Sequence, residues 1–184
     1  MKPGYFLCIV GPSGAGKDSL IDAARELLPP TQFVFARRTI TREAGKPGEV
    51  YDSCSEEAFN EKKRAGEFLV TWHAHGLHYG LPNSLQLAQS QGKHVIANGS
   101  RSVAHDLKNL VTNLVFIEVT APIDILARRI LQRGRESEQE IRLRLARKVD
   151  PLPADVPVYT VHNDQTLEVG VDRFMTVIGQ VCNL

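Results

Sequence analysis

Apolar and polar positions alternate along the chain in a way that predicts an α/β protein. The first apolar run, Tyr5 to Val10, is short, continuous and bounded by glycines, as expected for a strand buried on both faces. From Lys17 to Leu28 apolar residues recur at helical spacing, and Pro29-Pro30 prevents the helix from continuing. Further apolar runs predict core strands at Phe33 to Phe35, His94 to Ala97, Leu114 to Val119 and Val156 to Val161.

Residues with helical spacing of apolar positions lie between the last two predicted strands and after the last one. They predict helices over 122–134, about 137–149 and 167–181. Strands that alternate with helices imply a parallel sheet covered by helices on both faces. The stretch from Thr39 to Gly80 fits this alternation poorly, since it is first polar and turn-rich and then aromatic. We therefore expect one domain over 1–184, with a core of 1–36 and 81–184 and an inserted substrate-binding lobe at about 37–80.

A phosphate-binding motif lies between the first strand and the first helix. It reads Gly11-Pro12-Ser13-Gly14-Ala15-Gly16-Lys17, with two glycines five positions apart and then a lysine. Glycines let successive backbone N–H groups face an anion, and the helix N-terminus adds partial positive charge. The alternative is a glycine-rich turn that only joins strand to helix, but both flanking elements favour a nucleotide phosphate site.

Asp18 stands where phosphate loops carry the Ser or Thr that ligates magnesium, and Ser19 follows it. A carboxylate beside a triphosphate needs a cation between them, so Asp18 can hold Mg²⁺ directly or through water. Alternatively, Asp18 is an acid of the first helical turn that the helix dipole favours.

Two further segments carry candidate substrate contacts. Arg37, Arg38, Arg42 and Lys46 gather four cations within ten residues, which suits a phosphate group or, alternatively, a solvated basic loop. The run from Trp72 to Gly80 holds half of the six histidines. Because no Asp, Glu or Cys lies inside the run, hydrogen bonds to sugar hydroxyls or phosphate oxygens are favoured over a zinc site.

Arginines crowd the span from Pro122 to Asp150. Some must form surface pairs with the neighbouring glutamates, since residues four apart meet on a helix. Arg133 and Arg135 flank Gly134 at a predicted helix end, where a hinged lid at about 133–147 can bring guanidinium groups to a transferring phosphoryl group. The periodicity does not decide which arginines do so.

Charge and composition argue against several classes of protein. The net charge of +1 gives no field that would recruit nucleic acid or a membrane surface. The three cysteines show no metal or redox spacing, and no apolar stretch approaches the ~18 residues of a membrane span. We expect a cytoplasmic protein with reduced thiols, no nucleic-acid or membrane partner, and at most a small assembly such as a homodimer.

The order of motifs resembles the guanylate kinase superfamily. The shared elements are the phosphate loop, Thr41-Arg42, Gly48-Glu49, Gly66-Glu67-Phe68-Leu69, Tyr79-Gly80, Arg133-Gly134, Arg144-Leu145 and Asn163-Asp164. The resemblance implies a P-loop NTPase fold with a core sheet, an acceptor-binding lobe and an arginine lid. Val70 stands where that family has a base-reading Glu, and Asn98-Gly99-Ser100-Arg101 replaces its Asp-x-Asp segment.

A closer resemblance is to the ribose 1,5-bisphosphate phosphokinase family of phosphonate catabolism. It rests on Gly-Lys-Asp-Ser at 16–19, Ile40-Thr41-Arg42, the run from Trp72 to Gly80, and Asn98 to Arg101. The resemblance implies that ATP phosphorylates the C1 phosphate of ribose 1,5-bisphosphate, giving 5-phosphoribosyl 1-diphosphate and ADP, and it makes Asp18 a shared feature. The alternatives are a nucleoside monophosphate kinase and a non-catalytic binding module.

The phosphoryl transfer that the resemblance implies requires neutralisation of negative charge more than proton transfer. The acceptor phosphate is largely ionised near neutral pH, so no general base is required. Unit charges 4 Å apart repel by ~4 kcal/mol at an effective dielectric of 20, so several cations are needed. On the nucleotide side we expect Lys17 and the loop to bind the ATP phosphates, Asp18 or Ser19 to hold Mg²⁺ and, by resemblance, Asn163 to lie near adenine. Arg133 and Arg144 are expected to contact the transferring group. On the acceptor side we expect Arg42 and Arg38 to bind one phosphate, Ser100 and Arg101 to bind the second, and Tyr79, His75 and His78 to bind the sugar.

Overall fold

The computed structural model describes residues 2–42, 51–132, 141 and 150–184. Within these ranges the strands are β1 (Phe6–Val10), β2 (Phe33–Phe35), β3 (Arg38–Ile40), β4 (Tyr51–Ser53), β5 (Phe68–Ala74), β6 (Leu77–Pro82), β7 (His94–Asn98), β8 (Leu114–Thr120) and β9 (Val158–His162). The helices are α1 (Lys17–Leu27), α2 (Glu56–Arg64), α3 (Ser84–Ser90), α4 (Ala104–Leu110), α5 (Ile123–Leu131) and α6 (Leu167–Cys182), with a short 3₁₀ helix at Arg101–Val103.

A parallel core sheet carries the fold. In the described residues its order is β2-β7-β1-β8-β9, and every pair in it is parallel. All five residues of β1 are buried because its two faces pack against different clusters. Leu7 and Ile9 pack with α1 and α6, whereas Phe6 and Cys8 pack with α3, α4 and the neighbouring sheet. The predicted α/β class, with a parallel sheet flanked by helices, is confirmed.

The segment that departed from the alternation forms a second sheet. Its order in the described residues is β4-β3-β6-β5, with β3 and β5 antiparallel to β6. The hairpin between β5 and β6 turns at His75-Gly76, where both φ angles are positive (54° and 72°), as a type I′ turn requires. Trp72 and Tyr79 of this sheet belong to the same apolar cluster as Phe6, so they anchor the second sheet on the core.

The last helix begins and ends at well-formed caps. The Thr166 side chain accepts a hydrogen bond from the backbone N–H of Val169, and Asn183 takes the left-handed conformation after Cys182. The predicted helix at about 137–149 and the predicted lid at about 133–147 lie outside the described residues, except for Ile141. This residue is helical and packs, fully buried, against Ala127 and Ile130 of α5. The division into core, insertion and lid stays a prediction.

Across the described ranges, no helix has both the length and the apolar character needed to cross a bilayer.

Candidate active site

The phosphate loop follows β1 and leads directly into α1. Two of its glycines are required by close approaches. A Cβ on Gly11 would lie 2.1 Å from the carbonyl oxygen of Val119, and a Cβ on Gly16 would lie 2.4 Å from Nδ2 of Asn163. Both residues also have positive φ angles, 143° and 86°, which side chains rarely adopt. The glycine spacing is thus set by the neighbours of the loop and by its backbone.

Lys17 is the first residue of α1 and bends back over the loop. Its Nζ donates to the carbonyl oxygens of Gly11 and Pro12, at 2.8 and 3.0 Å. The ammonium group is therefore at the loop where a phosphate chain would lie. This position agrees with the role expected from the motif, although the role itself stays a prediction.

Asp18 lies at the centre of a polar cluster beside the loop. Its Oδ1 accepts a hydrogen bond from Nδ2 of Asn98, at 2.6 Å, and lies 3.5 Å from a guanidinium nitrogen of Arg38. Asn98 is the last residue of β7, and Arg38 is the first residue of β3. The cluster therefore joins the first turn of α1 to both sheets, at the carboxyl edge of the core sheet.

Arg38 is the buried cation of this cluster. Only 11% of its side chain is exposed, and its guanidinium carbon lies 5.8 Å from the ring centre of Tyr79. The Tyr79 ring stacks on Trp72, with the centroids 5.3 Å apart and the planes 7° from parallel. Both aromatic side chains are buried, so they hold the guanidinium beside Asp18.

The predicted second phosphate site at the end of β7 is partly occupied by protein contacts. Arg101 forms an ion pair with Glu118 of β8 and lies 3.4 Å from the backbone oxygen of Asp150. Ser100 caps the 3₁₀ helix, since its hydroxyl accepts from the backbone N–H of Ser102. A phosphate here would have to share the guanidinium with the Glu118 carboxylate.

Asn163 lies beneath the phosphate loop. Its Nδ2 donates to the carbonyl oxygen of Ala15 at 2.8 Å, and its side chain is buried. Arg129 of α5 donates to the Asn163 carbonyl at 2.8 Å and to the Gly14 carbonyl at 3.4 Å. Asn163 therefore supports the loop, and the place near adenine that the resemblance implies stays a prediction.

The histidine-rich hairpin does not gather around the Arg38 cluster. His78 and Tyr79 are consecutive in β6, so their side chains point to opposite faces of the sheet. His78 faces α2, with its Nε2 3.2 Å from Oε1 of Glu56 and its ring 5.6 Å from the Phe59 ring. His75 is exposed at the hairpin turn. Of the three side chains expected at the sugar, the structure brings Tyr79 to Arg38.

Of the remaining basic candidates, Arg42 lies within the described residues. Arg42 follows β3, and its guanidinium carbon lies 5.6 Å from the ring centre of Tyr51. Arg133 and Arg144, expected in the lid, lie outside the described residues, as does Lys46.

The residues present suit a magnesium ion. The hydrogen bond from Asn98 and the ion pair with Arg38 both involve Oδ1 of Asp18, and Ser19 is exposed one position further along α1. In the described part of the chain, no three His, Cys, Asp or Glu residues gather as a metal site. Magnesium commonly takes one or two carboxylates together with substrate phosphates and water, so a single Asp beside a phosphate loop fits it.

Sequence reasoning missed three residues that this geometry includes. Asn98 belongs to a segment that departs from the family pattern, and neither it nor Glu118 nor Arg129 has a role that the sequence predicts. A polar residue at the carboxyl end of a core strand is a usable signal, and Asn98 and Glu118 both have it. Cys8 lies beneath Gly99, and burial raises the pKa of its thiol to about 12.

Comparison with known proteins defines the class to which this site belongs. The sequence model of the guanylate kinase family matches residues 4–166. The chain belongs to the guanylate kinase family. The guanylate kinase from Anaplasma phagocytophilum superposes with a TM-score of 0.67 at 18% identity, covering 98% of this chain and 87% of that one. A gluconokinase from Sinorhizobium meliloti gives 0.55 at 17% identity, covering 98% and 94%. These two likenesses show the fold alone.

Relatives with higher sequence identity are named for a more specific activity. Ribose 1,5-bisphosphate phosphokinase PhnN of Agrobacterium fabrum is 43% identical over 95% of this chain and 96% of its own length. Bifunctional ribose 1,5-bisphosphokinase-thymidine phosphorylase of Cupriavidus pinatubonensis is 53% identical over 99% of this chain. The chain spans 30% of the length of that bifunctional relative.

Proposed function

We propose that this protein uses ATP to phosphorylate the C1 phosphate of ribose 1,5-bisphosphate, giving 5-phosphoribosyl 1-diphosphate and ADP, as a step in phosphonate catabolism. Family membership supports an ATP-dependent phosphotransferase, and the names of the relatives support the sugar substrate.

The observation that carries the proposal is the buried guanidinium of Arg38 beside the phosphate loop. It lies between Asp18 of α1 and Tyr79 of the second sheet, so a phosphate held there would be next to the nucleotide site. At the position where the family reads a base, Val70 is buried among apolar residues. An apolar side chain offers no hydrogen bond to a guanine, and this favours an acceptor that is recognised by its phosphates.

The chemistry requires that two polyanions meet. Lys17 and the backbone amides of the loop bind the ATP phosphates, while Arg38 and Arg42 bind one phosphate of the acceptor. Mg²⁺, held by Asp18 directly or through water with Ser19 as the alternative ligand, would neutralise charge on the nucleotide. No side chain has to remove a proton, because the attacking phosphate oxygen is already ionised.

The remaining roles complete this proposal. Tyr79 contacts the sugar from the side of Arg38. His75 and His78 belong to the same lobe and contact the sugar from the hairpin turn and from the face that packs on α2. Ser100 and Arg101 take the second phosphate. The lid arginines Arg133 and Arg144 act on the transferring group, and Asn163 binds the nucleotide near adenine while it supports the loop. We further propose that the protein works in the cytoplasm, where its free cysteines stay reduced. A homodimer and the lack of a nucleic-acid partner stay predictions.

Product identification tests the proposal. The protein is incubated with Mg·ATP and, separately, ribose 1,5-bisphosphate, ribose 5-phosphate, GMP and gluconate, and the products are identified by mass. We expect one added phosphoryl group on ribose 1,5-bisphosphate and none in the presence of the Lys17→Ala variant. Turnover of GMP comparable to that of the bisphosphate would favour the nucleoside monophosphate kinase alternative. Absence of ATP binding with Mg²⁺ present would favour a non-catalytic module.

A further inference from the structure

Asp18 and Asn98 reverse the usual positions of the acidic and the neutral side chain at a magnesium site. In many phosphate-loop enzymes the ion is held by the Ser or Thr of the loop and by an Asp from a neighbouring strand. Here the helix position carries the acid, and the end of strand β7 carries an amide. The two side chains, 80 positions apart in sequence, are joined by the hydrogen bond from Asn98 Nδ2 to Asp18 Oδ1.

The surroundings of Asn98 require a neutral side chain. Its Nδ2 is fixed as the donor, because a carboxylate oxygen can only accept. Its Oδ1 is buried and has no hydrogen-bond partner among the described residues. An aspartate at this position would set a second negative charge against Asp18 and bury an oxygen without a donor, and both effects destabilise the folded protein.

Cations lie close to this pair. The closest nitrogen of Arg38 is 3.5 Å from Asp18 Oδ1, against 2.6 Å for the amide of Asn98, and the Lys17 ammonium contacts the adjacent loop carbonyls. Arg101, after β7, is already paired with Glu118. Cys8 stays a neutral thiol, because burial raises its pKa to about 12.

We propose that Asn98 is a positioning residue that holds the Asp18 carboxylate, through Oδ1, so that Oδ2 faces the magnesium ion of the nucleotide. The pair carries a single negative charge, on the helix and not on the strand. The inference rests on the proposed use of Mg·ATP, but it does not depend on which sugar accepts the phosphoryl group.

The first test is a charge-exchange cycle followed by thermal unfolding in metal-free buffer. Asn98→Asp should lower the midpoint by about 4 °C or more at pH 8, because it sets two acids against each other and buries an oxygen without a donor. The double variant Asp18→Asn/Asn98→Asp keeps one charge and should recover at least half of the loss. A midpoint for Asn98→Asp equal to the wild type, or no recovery in the double variant, would overturn the proposal.

The second test measures Mn²⁺ binding in the presence of ADP by electron paramagnetic resonance. Asn98→Ala keeps the Asp18 carboxylate but removes its donor, so we expect Mn²⁺ to bind about ten-fold more weakly. Asp18→Asn should weaken it further, and Asn60→Ala, exposed on α2, should leave it unchanged. Wild-type affinity in Asn98→Ala would overturn the positioning role. A wild type that binds Mn²⁺·ADP but does not phosphorylate ribose 1,5-bisphosphate would overturn the proposed function and leave this inference standing.

Discussion

Two glycines of the same helix should respond to alanine in opposite directions. A Cβ on Gly170, near the start of α6, would lie 2.3 Å from Oδ1 of Asn163, whereas a Cβ on Gly179, near its end, would meet nothing within 4 Å. Gly179→Ala should therefore stabilise the protein by about 1 kcal/mol, the usual gain from replacing a helical glycine. Gly170→Ala should lose that gain, because Asn163 must move and is held to the Ala15 carbonyl.

The size of the loss follows from the contacts. Crowding a packed site costs about 1–3 kcal/mol, and a buried carbonyl left without its donor costs a similar amount. We expect Gly170→Ala to be destabilised by about 2 kcal/mol, which lowers the thermal midpoint by about 4–8 °C for a chain of this size. Because Ala15 belongs to the phosphate loop, the KM for ATP should rise as well.

Thermal unfolding followed by circular dichroism, with steady-state kinetics at varied ATP, makes the comparison. Gly179→Ala is the matched control, since it makes the same chemical change in the same helix. If both variants gain stability equally and keep the wild-type KM for ATP, Asn163 does not support the loop.

Four further variants, used in three tests, examine other parts of the account. Lys17→Ala should abolish phosphoryl transfer with little change in the thermal midpoint, and near-normal turnover would refute its assignment. Arg38→Lys should raise the KM for the sugar acceptor by about ten-fold, since lysine cannot reproduce the planar guanidinium; Arg37→Ala, at an exposed pair with Asp52, should change it less than about two-fold, and equal effects would contradict the buried cluster. The hydrogen bond from Arg173 lowers the pKa of Asp164, so its stabilisation is present above the unfolded pKa and is lost as pH falls through the folded one. Arg173→Ala should raise that pKa in an NMR titration, and an unchanged value would show that the pair has no effect.

The core was predictable because its strands are buried on both faces. Runs such as Tyr5 to Val10 are continuous and apolar, and the glycine spacing after them has a single well-understood geometry. The second sheet gave no such pattern. Its strand β4 is three residues long and mostly exposed, and β3 begins with the buried polar Arg38. Short strands stabilised by tertiary contacts are not visible in local periodicity.

The site was predictable in its parts but not in its pairings. The motif located Lys17 and Asp18, but the contact of Asp18 with Asn98 joins positions far apart in the chain. The opposite faces of His78 and Tyr79 follow from strand alternation only after β6 is known to be a strand. The contact of Asn163 with the loop, likewise, could be found only in the folded protein.

The central claim is that this scaffold recognises its acceptor by phosphate groups and not by a base. The ratio of kcat/KM for ribose 1,5-bisphosphate to that for GMP, measured by ADP release with Mg·ATP, tests it most directly. We predict a ratio above about 100 in favour of the bisphosphate, because a site with Val70 in place of a carboxylate leaves the polar groups of guanine unpaired. A ratio near or below one would contradict the account.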